Sequence, residues 1–201
     1  MTTTEQLLEL SEEAQDLLFR QARTANSFTD EPVADEQVQA VYDVVKYGPT
    51  AMNSQPLRVL LIRSEQARQR LVAHMAEGNK AKTLAAPLVA VLAADLRFHE
   101  NLPKVFPHAP KAKDGFADEE VRARTARLNA ALQIGYFILG VRAAGLAAGP
   151  MTGFDADGIN EEFFPEGDRQ VLVVVNIGKP GENAWQERLP RLSYDEVVTT
   201  L

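Results

Sequence analysis

Residues 118–144 read DEEVRARTARLNAALQIGYFILGVRAA. Arg122, Arg124 and Arg127 make the first half charged, and the second half is apolar on nearly every side. The stretch predicts one long helix. A helix that is apolar all round is buried all round. In a chain of 201 residues, that calls for cover from a second copy as well as from the protein's own sheet. Ala130, Ala131, Gly135 and Gly140 leave room for close helix approach. The apolar run 128–148 is not a membrane span, because Gln133, Arg142 and three glycines interrupt it.

Outward from this helix, the pattern alternates between helical and extended pieces. Residues 5–22 read as a helix with an apolar stripe at Leu7, Leu8, Leu10, Ala14, Leu17 and Leu18. A polar loop, 24–32, leads to a second helix that opens at Ala34 or Asp35. It carries Val38, Val41, Tyr42 and Val45 on one face and ends at Gly48-Pro49. Residues 58–62 form a short apolar strand, and 65–75 a helix closed by Gly78-Asn79. The apolar run 87–94 suits a buried strand. Segment 98–115 holds Pro103, Pro107 and Pro110 and cannot sustain a long regular element. A loop of that length reads as a lid or binding segment. Gly149-Pro150 breaks the chain, 157–164 is a short helix, and the β-branched run 171–177 is a central strand. The tail, 178–201, is rich in turn residues and ends in a short helix at 194–199. The expectation is an α+β fold, with one domain spanning 1–201 and a sheet flanked by helices.

Composition narrows the function. Twenty-one Lys and Arg against 28 Asp and Glu leave a net charge of −7, which argues against a nucleic-acid partner. With no cysteine, disulfides, thiolate catalysis and Cys-based metal sites are excluded. Residues 1–10 lack a basic region followed by an apolar run, so no secretory signal is expected and the cytoplasm is the default location.

Five segments have the composition of binding elements. Ala22-Arg23-Thr24-Ala25-Asn26-Ser27 offers a phosphate one charge and several donors; the plain alternative is a helix end with a solvated arginine. In Gly48-Pro49-Thr50-Ala51-Met52-Asn53-Ser54-Gln55-Pro56, two prolines stiffen a shelf bearing two amides. Amides that both give and accept match a planar heterocycle, although the segment could simply link helix to strand. Asn79 and Lys82 are three apart and share a face on a helical turn, as an ordinary solvated pair also would. In Gly149-Pro150-Met151-Thr152-Gly153-Phe154, the glycines allow backbone to approach a ligand; otherwise it is a helix-to-loop break. Arg188-Leu189-Pro190-Arg191 puts two arginines in an acidic tail, as a phosphate partner or as a surface pair.

The joint order of these segments resembles the nitroreductase family over nearly the whole chain. The details Gly149-Pro150-Met151 with Gly153-Phe154-Asp155, and Arg188-Leu189-Pro190-Arg191-Leu192-Ser193, look most like its malonic semialdehyde reductase, or NADH dehydrogenase–nitroreductase, branch. The resemblance implies a nitroreductase-like α+β fold. Its central sheet would be mostly antiparallel, and the long helix would lie at a homodimer interface that holds FMN. By the same resemblance, Arg23 holds the FMN phosphate with Asn26 nearby. Pro49, Thr50, Ala51 and Asn53 line the ring, with Gln55 at its polar edge. Asn79 and Lys82 reach the ring edge and the ribityl chain. Pro150 and Met151 lead to the backbone N–H groups of Thr152 and Gly153, which face flavin N5 and O4. Arg188 or Arg191 completes the phosphate clamp. One departure is plain: the second basic residue common in the family's first loop is replaced by Thr24, Ala25, Asn26 and Ser27.

The implied activity is reduction of a small aldehyde, such as malonic semialdehyde to 3-hydroxypropionate. It proceeds by ping-pong hydride transfer from NADH or NADPH through flavin N5, with no protein nucleophile and no metal. The alternatives are a broad nitroaromatic or quinone reductase and a non-catalytic flavin-binding protein. Of the three histidines, His74 reads as structural or solvated, while His99 and His108 sit in the Pro-rich segment, where Arg97, Lys104 and Lys111 could draw a carboxylate.

Overall fold

The computed structural model describes residues 8–201. Strand β2 (Leu88–Asp95) is buried along its whole length, and the rest is layered around it. It lies between β1 (Leu57–Ile62) and β4 (Arg169–Gly178), and β4 pairs on its far side with β3 (Ala147–Met151). All three pairings are antiparallel. The sheet order β1-β2-β4-β3 therefore leaves β1 at one edge and β3 at the other. The register shifts between Leu92 and Ala93 opposite Val173 and Val171, a bulge that bends the middle of the sheet.

Alternation along β2 sorts the two layers. Leu88, Ala90 and Leu92 face one side, where they meet Val41, Ile134, Phe137 and Val141. Those residues come from α2 (Asp35–Val45) and α6 (Glu119–Ala143). Val89, Val91 and Ala93 face the other side, with Leu71, Met75, Ile159 and Phe164. There the cover comes from α3 (Glu65–Ala73), α4 (Glu77–Ala85) and α7 (Ala156–Phe163). The Asp118 carboxylate accepts from Val121 N and starts α6, a cap worth about 1 kcal/mol.

The α+β reading with an antiparallel sheet holds, and several element boundaries move. Helix α1 (Glu12–Gln15) starts only after Ser11, whose side chain accepts from Ala14 N, and continues as a π-turn, Asp16–Arg20. Leu8 and Leu10 precede it and are exposed; residues 5–7 of the expected helix lie outside the described residues. Gly78-Asn79 does not close α3. The chain turns at 74–76 instead, and both residues lie inside α4. Gly149-Pro150 is not a break either, since both pair with β4 inside β3. Proline is tolerated there because β3 is an edge strand. Helix α6 is not buried all round within one chain: Leu128 is 64% exposed and Leu132 45%, and Ala131 and Gly135 are exposed as well.

No helix among the described residues is long and apolar enough to cross a membrane, and no His, Cys, Asp and Glu cluster among them could hold a metal ion.

Candidate functional site

Each of the five segments falls into one of two groups, and the groups sit at opposite edges of the sheet. At the β1 edge, residues 48–56 form a kinked shelf that feeds directly into β1. Ala51–Asn53 make a single 3-10 turn. Met52, Asn53 and Gln55 have φ of 53°, 51° and 44°, a region L residues enter at a cost unless the surroundings fix them. The two amides do not project freely. Gln55 Nε2 donates to Asn53 Oδ1 at 2.9 Å, and Asn53 Nδ2 donates to the Val105 carbonyl at 2.8 Å. That second bond ties the shelf to the Pro-rich segment. Thr50 Oγ1 accepts from Gln55 N at 3.2 Å and closes the turn on itself. Pro49, Ala51 and Asn53 are exposed.

The Pro-rich segment packs over this shelf as two 3-10 turns, Phe98–Asn101 and Pro110–Phe116, on either side of α5 (Leu102–Val105). Its core is Phe98, Leu102, Val105, Phe106 and Phe116, and Met52 packs against it. Arg122 on α6 holds both ends, donating to the carbonyls of Leu96 (3.1 Å), Phe116 (2.9 Å) and Ala117 (3.3 Å). Arg97 is engaged with Asp168 at 3.0 Å, so it does not join Lys104 and Lys111 as a free basic group. The His108 ring lies 3.9 Å from the Phe106 ring, centroid to centroid.

At the β3 edge the remaining segments converge. Ala25 N donates to the Ala148 carbonyl at 3.1 Å and lays the 22–27 loop along β3. The tail crosses the same loop: Asn26 N donates to Ala184 O at 2.9 Å, Ser27 Oγ to Glu182 O at 2.6 Å, and Arg23 Nη1 to Gln186 O at 3.0 Å. Arg188 donates to the carbonyls of Arg20 and Ala22. It therefore reaches the Arg23 loop, whereas among the described residues Arg191 bonds only to its neighbours Leu189 and Pro190. Helix α4 brings in Asn79, whose Nδ2 donates to Gly153 O at 2.9 Å. Lys80 pairs with Glu77, but among the described residues Lys82 pairs with no carboxylate. Neither do Arg23 and Arg188. The N–H groups of Thr152 and Gly153 find no acceptor among the described residues, and both residues are exposed. The Met151 side chain is buried in the core, so only its backbone can face a ligand. A cavity of about 200 Å³ opens beside Arg23, lined also by Arg142, Leu146 and Trp185. Burial, and then the neighbouring Arg188, push the Arg142 pKa down.

Several residues that shape the site escape a reading by hydrophobicity. Asn129, Gln133 and Tyr136 are polar points on the helix read as apolar; Asn129 and Tyr136 bond to the shelf, and Gln133 bonds to Leu57 where β1 begins. The signal available was their spacing, i, i+4 and i+7, which places them on one helical face.

His74 ends α3 through its backbone N–H, and its carbonyl accepts from Asp155 N. His99 has a buried Nδ1 with no partner among the described residues, and burial, then Arg122, depress its pKa. The folded protein thus resists protonating it, so the unfolded chain takes up that proton first. The stability this provides is present above the unfolded imidazole pKa, about 6.5, and is lost as pH falls below it. Thermal melts at about pH 7.5 and 5.5 should show a drop on acidification that is smaller in His99→Gln.

Residues 19–179 match the Nitroreductase family. A Streptomyces coelicolor protein named NADH dehydrogenase/NAD(P)H nitroreductase is 67% identical over 195 residues, covering 96% of this chain and 99% of its own length. A Ralstonia nicotianae protein of the same name is 44% identical over 187 residues, covering 92% and 95%. Among solved structures, the Bacillus subtilis nitroreductase ydfN superposes with a TM-score of 0.80 at 20% identity, covering 92% of this chain and 97% of that one. An Exiguobacterium sibiricum nitroreductase in complex with FMN superposes at 0.78 and 19%, covering 96% and 99%. The chain belongs to the nitroreductase family, and it has that family's α+β fold.

Proposed function

We propose that the protein is an FMN-dependent NAD(P)H oxidoreductase that acts as a homodimer and holds each cofactor between two subunits. The observation that carries this reading is the division of the binding elements between the two sheet edges. Three inter-strand steps separate β1 from β3, roughly 14 Å. A shelf at one edge and a phosphate-type clamp at the other become one site most simply when a second copy supplies one of them. The exposed seam on α6, Leu128, Ala131, Leu132 and Gly135, supports the pairing, since apolar strips of that kind mark interfaces.

The residues present fit FMN. Its phosphate needs concentrated positive charge, and the charges of Arg23 and Arg188 meet no carboxylate among the described residues. Asn26 adds an amide beside them. Pro49, Thr50, Ala51, Asn53 and Gln55 offer a stiff surface for a flat ring. Asn79 and Lys82 approach from α4, while Pro150 and Met151 carry the backbone to the open N–H groups of Thr152 and Gly153. Donors held in place before a charge develops stabilise it without reorganisation. FMN, when bound, supplies two-electron chemistry between NADH or NADPH and a small acceptor. For the acceptor we propose a small aldehyde such as malonic semialdehyde, whose carboxylate exposed Lys104 and Lys111 would draw. The 67% identical relative's name favours a second reading, a broad nitroreductase.

The purified protein should bind FMN, as read by quenching of flavin fluorescence, and NADH or NADPH should bleach the bound flavin rapidly. A protein that takes up no FMN would sink the proposal, and slow bleaching would favour a flavin carrier. Turnover with malonic semialdehyde, a nitroaromatic and a quinone under one set of conditions separates the acceptors. Arg23→Gln should weaken FMN binding roughly 10- to 150-fold, the loss of a charge-assisted hydrogen bond. Lys82→Gln should also weaken it, whereas Lys80→Gln should not, because Lys80 is already paired.

A further inference from the structure

We infer that Asn129, with Gln133 and Tyr136 beside it, is a positioning residue that holds the 48–57 shelf in its binding shape. The inference rests on the proposed flavin reading of that shelf. Asn129 is 2% exposed, and both ends of its amide are used. Its Oδ1 accepts from Ala51 N at 2.7 Å, and its Nδ2 donates to the Thr125 carbonyl at 2.9 Å. The second bond fixes the amide's orientation and aims the oxygen at the shelf. Gln133 Oε1 accepts from Leu57 N at 2.9 Å, where the shelf becomes β1. Tyr136 donates to the Pro49 carbonyl at 3.2 Å. At Gly48 a Cβ would lie 2.2 Å from the Tyr136 ring, so a glycine there lets the chain pass against that ring.

The three anchors bracket the costly stretch. Tyr136 takes its start, Asn129 the first residue of its turn and Gln133 its end. Between them lie the positive φ angles of Met52, Asn53 and Gln55. Such angles persist only where the surroundings over-determine them, and these three side chains supply much of that constraint. None of them has to touch a ring lying on the shelf. Their effect on binding would pass through the backbone of Ala51 and its neighbours.

The test is a fluorescence titration of flavin-free protein with FMN, alongside thermal melts. Asn129→Leu leaves Ala51 N–H without its acceptor and should weaken FMN binding about 5- to 150-fold. Asn129→Asp keeps an oxygen for Ala51 N but gives up the donor to the Thr125 carbonyl, so it should recover only part of the affinity. Amide exchange at Ala51 should quicken in Asn129→Leu and stay slow in Asn129→Asp. Ile134→Ala, in the core on the same helix, serves as the stability control: it should lower the melting temperature and leave FMN affinity unchanged. Should Asn129→Leu not fold, Gln133→Leu takes its place, with weaker binding expected again. Equal affinity in wild type and variant overturns the inference. So does an affinity loss that tracks melting temperature in Ile134→Ala as closely as in Asn129→Leu. Wild-type protein that binds no FMN overturns the flavin reading itself.

Discussion

Two variants that each bind no flavin should regain binding when they are unfolded together and refolded as a mixture. The first is Arg23→Glu, which reverses charge at the β3-edge clamp. The second is Ala51→Trp, which fills the exposed shelf at the β1 edge. On the proposed pairing, each site takes its clamp from one subunit and its shelf from the other. A mixed dimer then has one site built from two intact halves and one built from two damaged halves. Random pairing of equal amounts gives half mixed dimers, so about a quarter of wild-type sites should return. The readout is flavin bound per chain, followed by turnover with a reduced nicotinamide. A mixture that binds no more than its two parents would show that both halves of a site come from the same chain, and the dimeric reading would fail. The same samples at rising protein concentration report the association itself, because exposed Leu128 and Leu132 gain cover only in the dimer.

The second large effect is expected at Gly149. A Cβ placed there would lie 2.6 Å from the Ala25 carbonyl oxygen, with the Asn176 Cβ and the Phe28 ring at 3.5 Å. The nearest atom is main chain, so no side-chain rotation relieves the contact. The 22–27 loop would have to lift off β3 and break the bond from Ala25 N to the Ala148 carbonyl. Gly149→Ala should cost about 1–3 kcal/mol, the usual range for overpacking. For a chain this size that is roughly 2–12 °C in melting temperature. FMN affinity should fall as well, because Arg23 and Asn26 ride on the displaced loop. Gly78→Ala is the control: nothing lies within 4 Å of its added Cβ and alanine favours a helix, so its melting temperature should hold or rise. A Gly149→Ala protein that melts with the wild type would show that the loop is not held by this contact.

What the sequence made legible, and what it hid, follows from which forces are local. Helix α6 and strand β2 announce themselves because each is a long apolar run with no proline to interrupt it. Helix α4 and strand β3 were obscured by glycine and proline, residues that punctuate isolated chains. Gly78 sits in the first turn of α4, where the helix tolerates it. Pro150 sits on an edge strand, where its missing N–H need not break the ladder. Helix α1 was drawn too long because its leucines imply a buried face, and in one chain Leu8, Leu10 and Leu17 stay exposed. In the candidate site, residue type singled out loops, but not their grouping at the two sheet edges. Nothing in Arg188-Leu189-Pro190-Arg191 tells which arginine turns back toward the N-terminal loop, since both stand in a turn-rich tail. Asn129 was hidden for the opposite reason: one amide vanishes among alanine, leucine and isoleucine, and Gln133 showed only as an interruption of the apolar run.

The clasp between the 20–27 loop and the 182–188 tail has a consequence for how the protein is made. Arg188 and Arg20 are 168 positions apart in the chain. When the ribosome has built the loop, β3 and the whole sheet, the segment that crosses the loop has not yet emerged. A chain cut after residue 181 would leave the loop's bonds to Glu182, Ala184, Gln186 and Arg188 unmade.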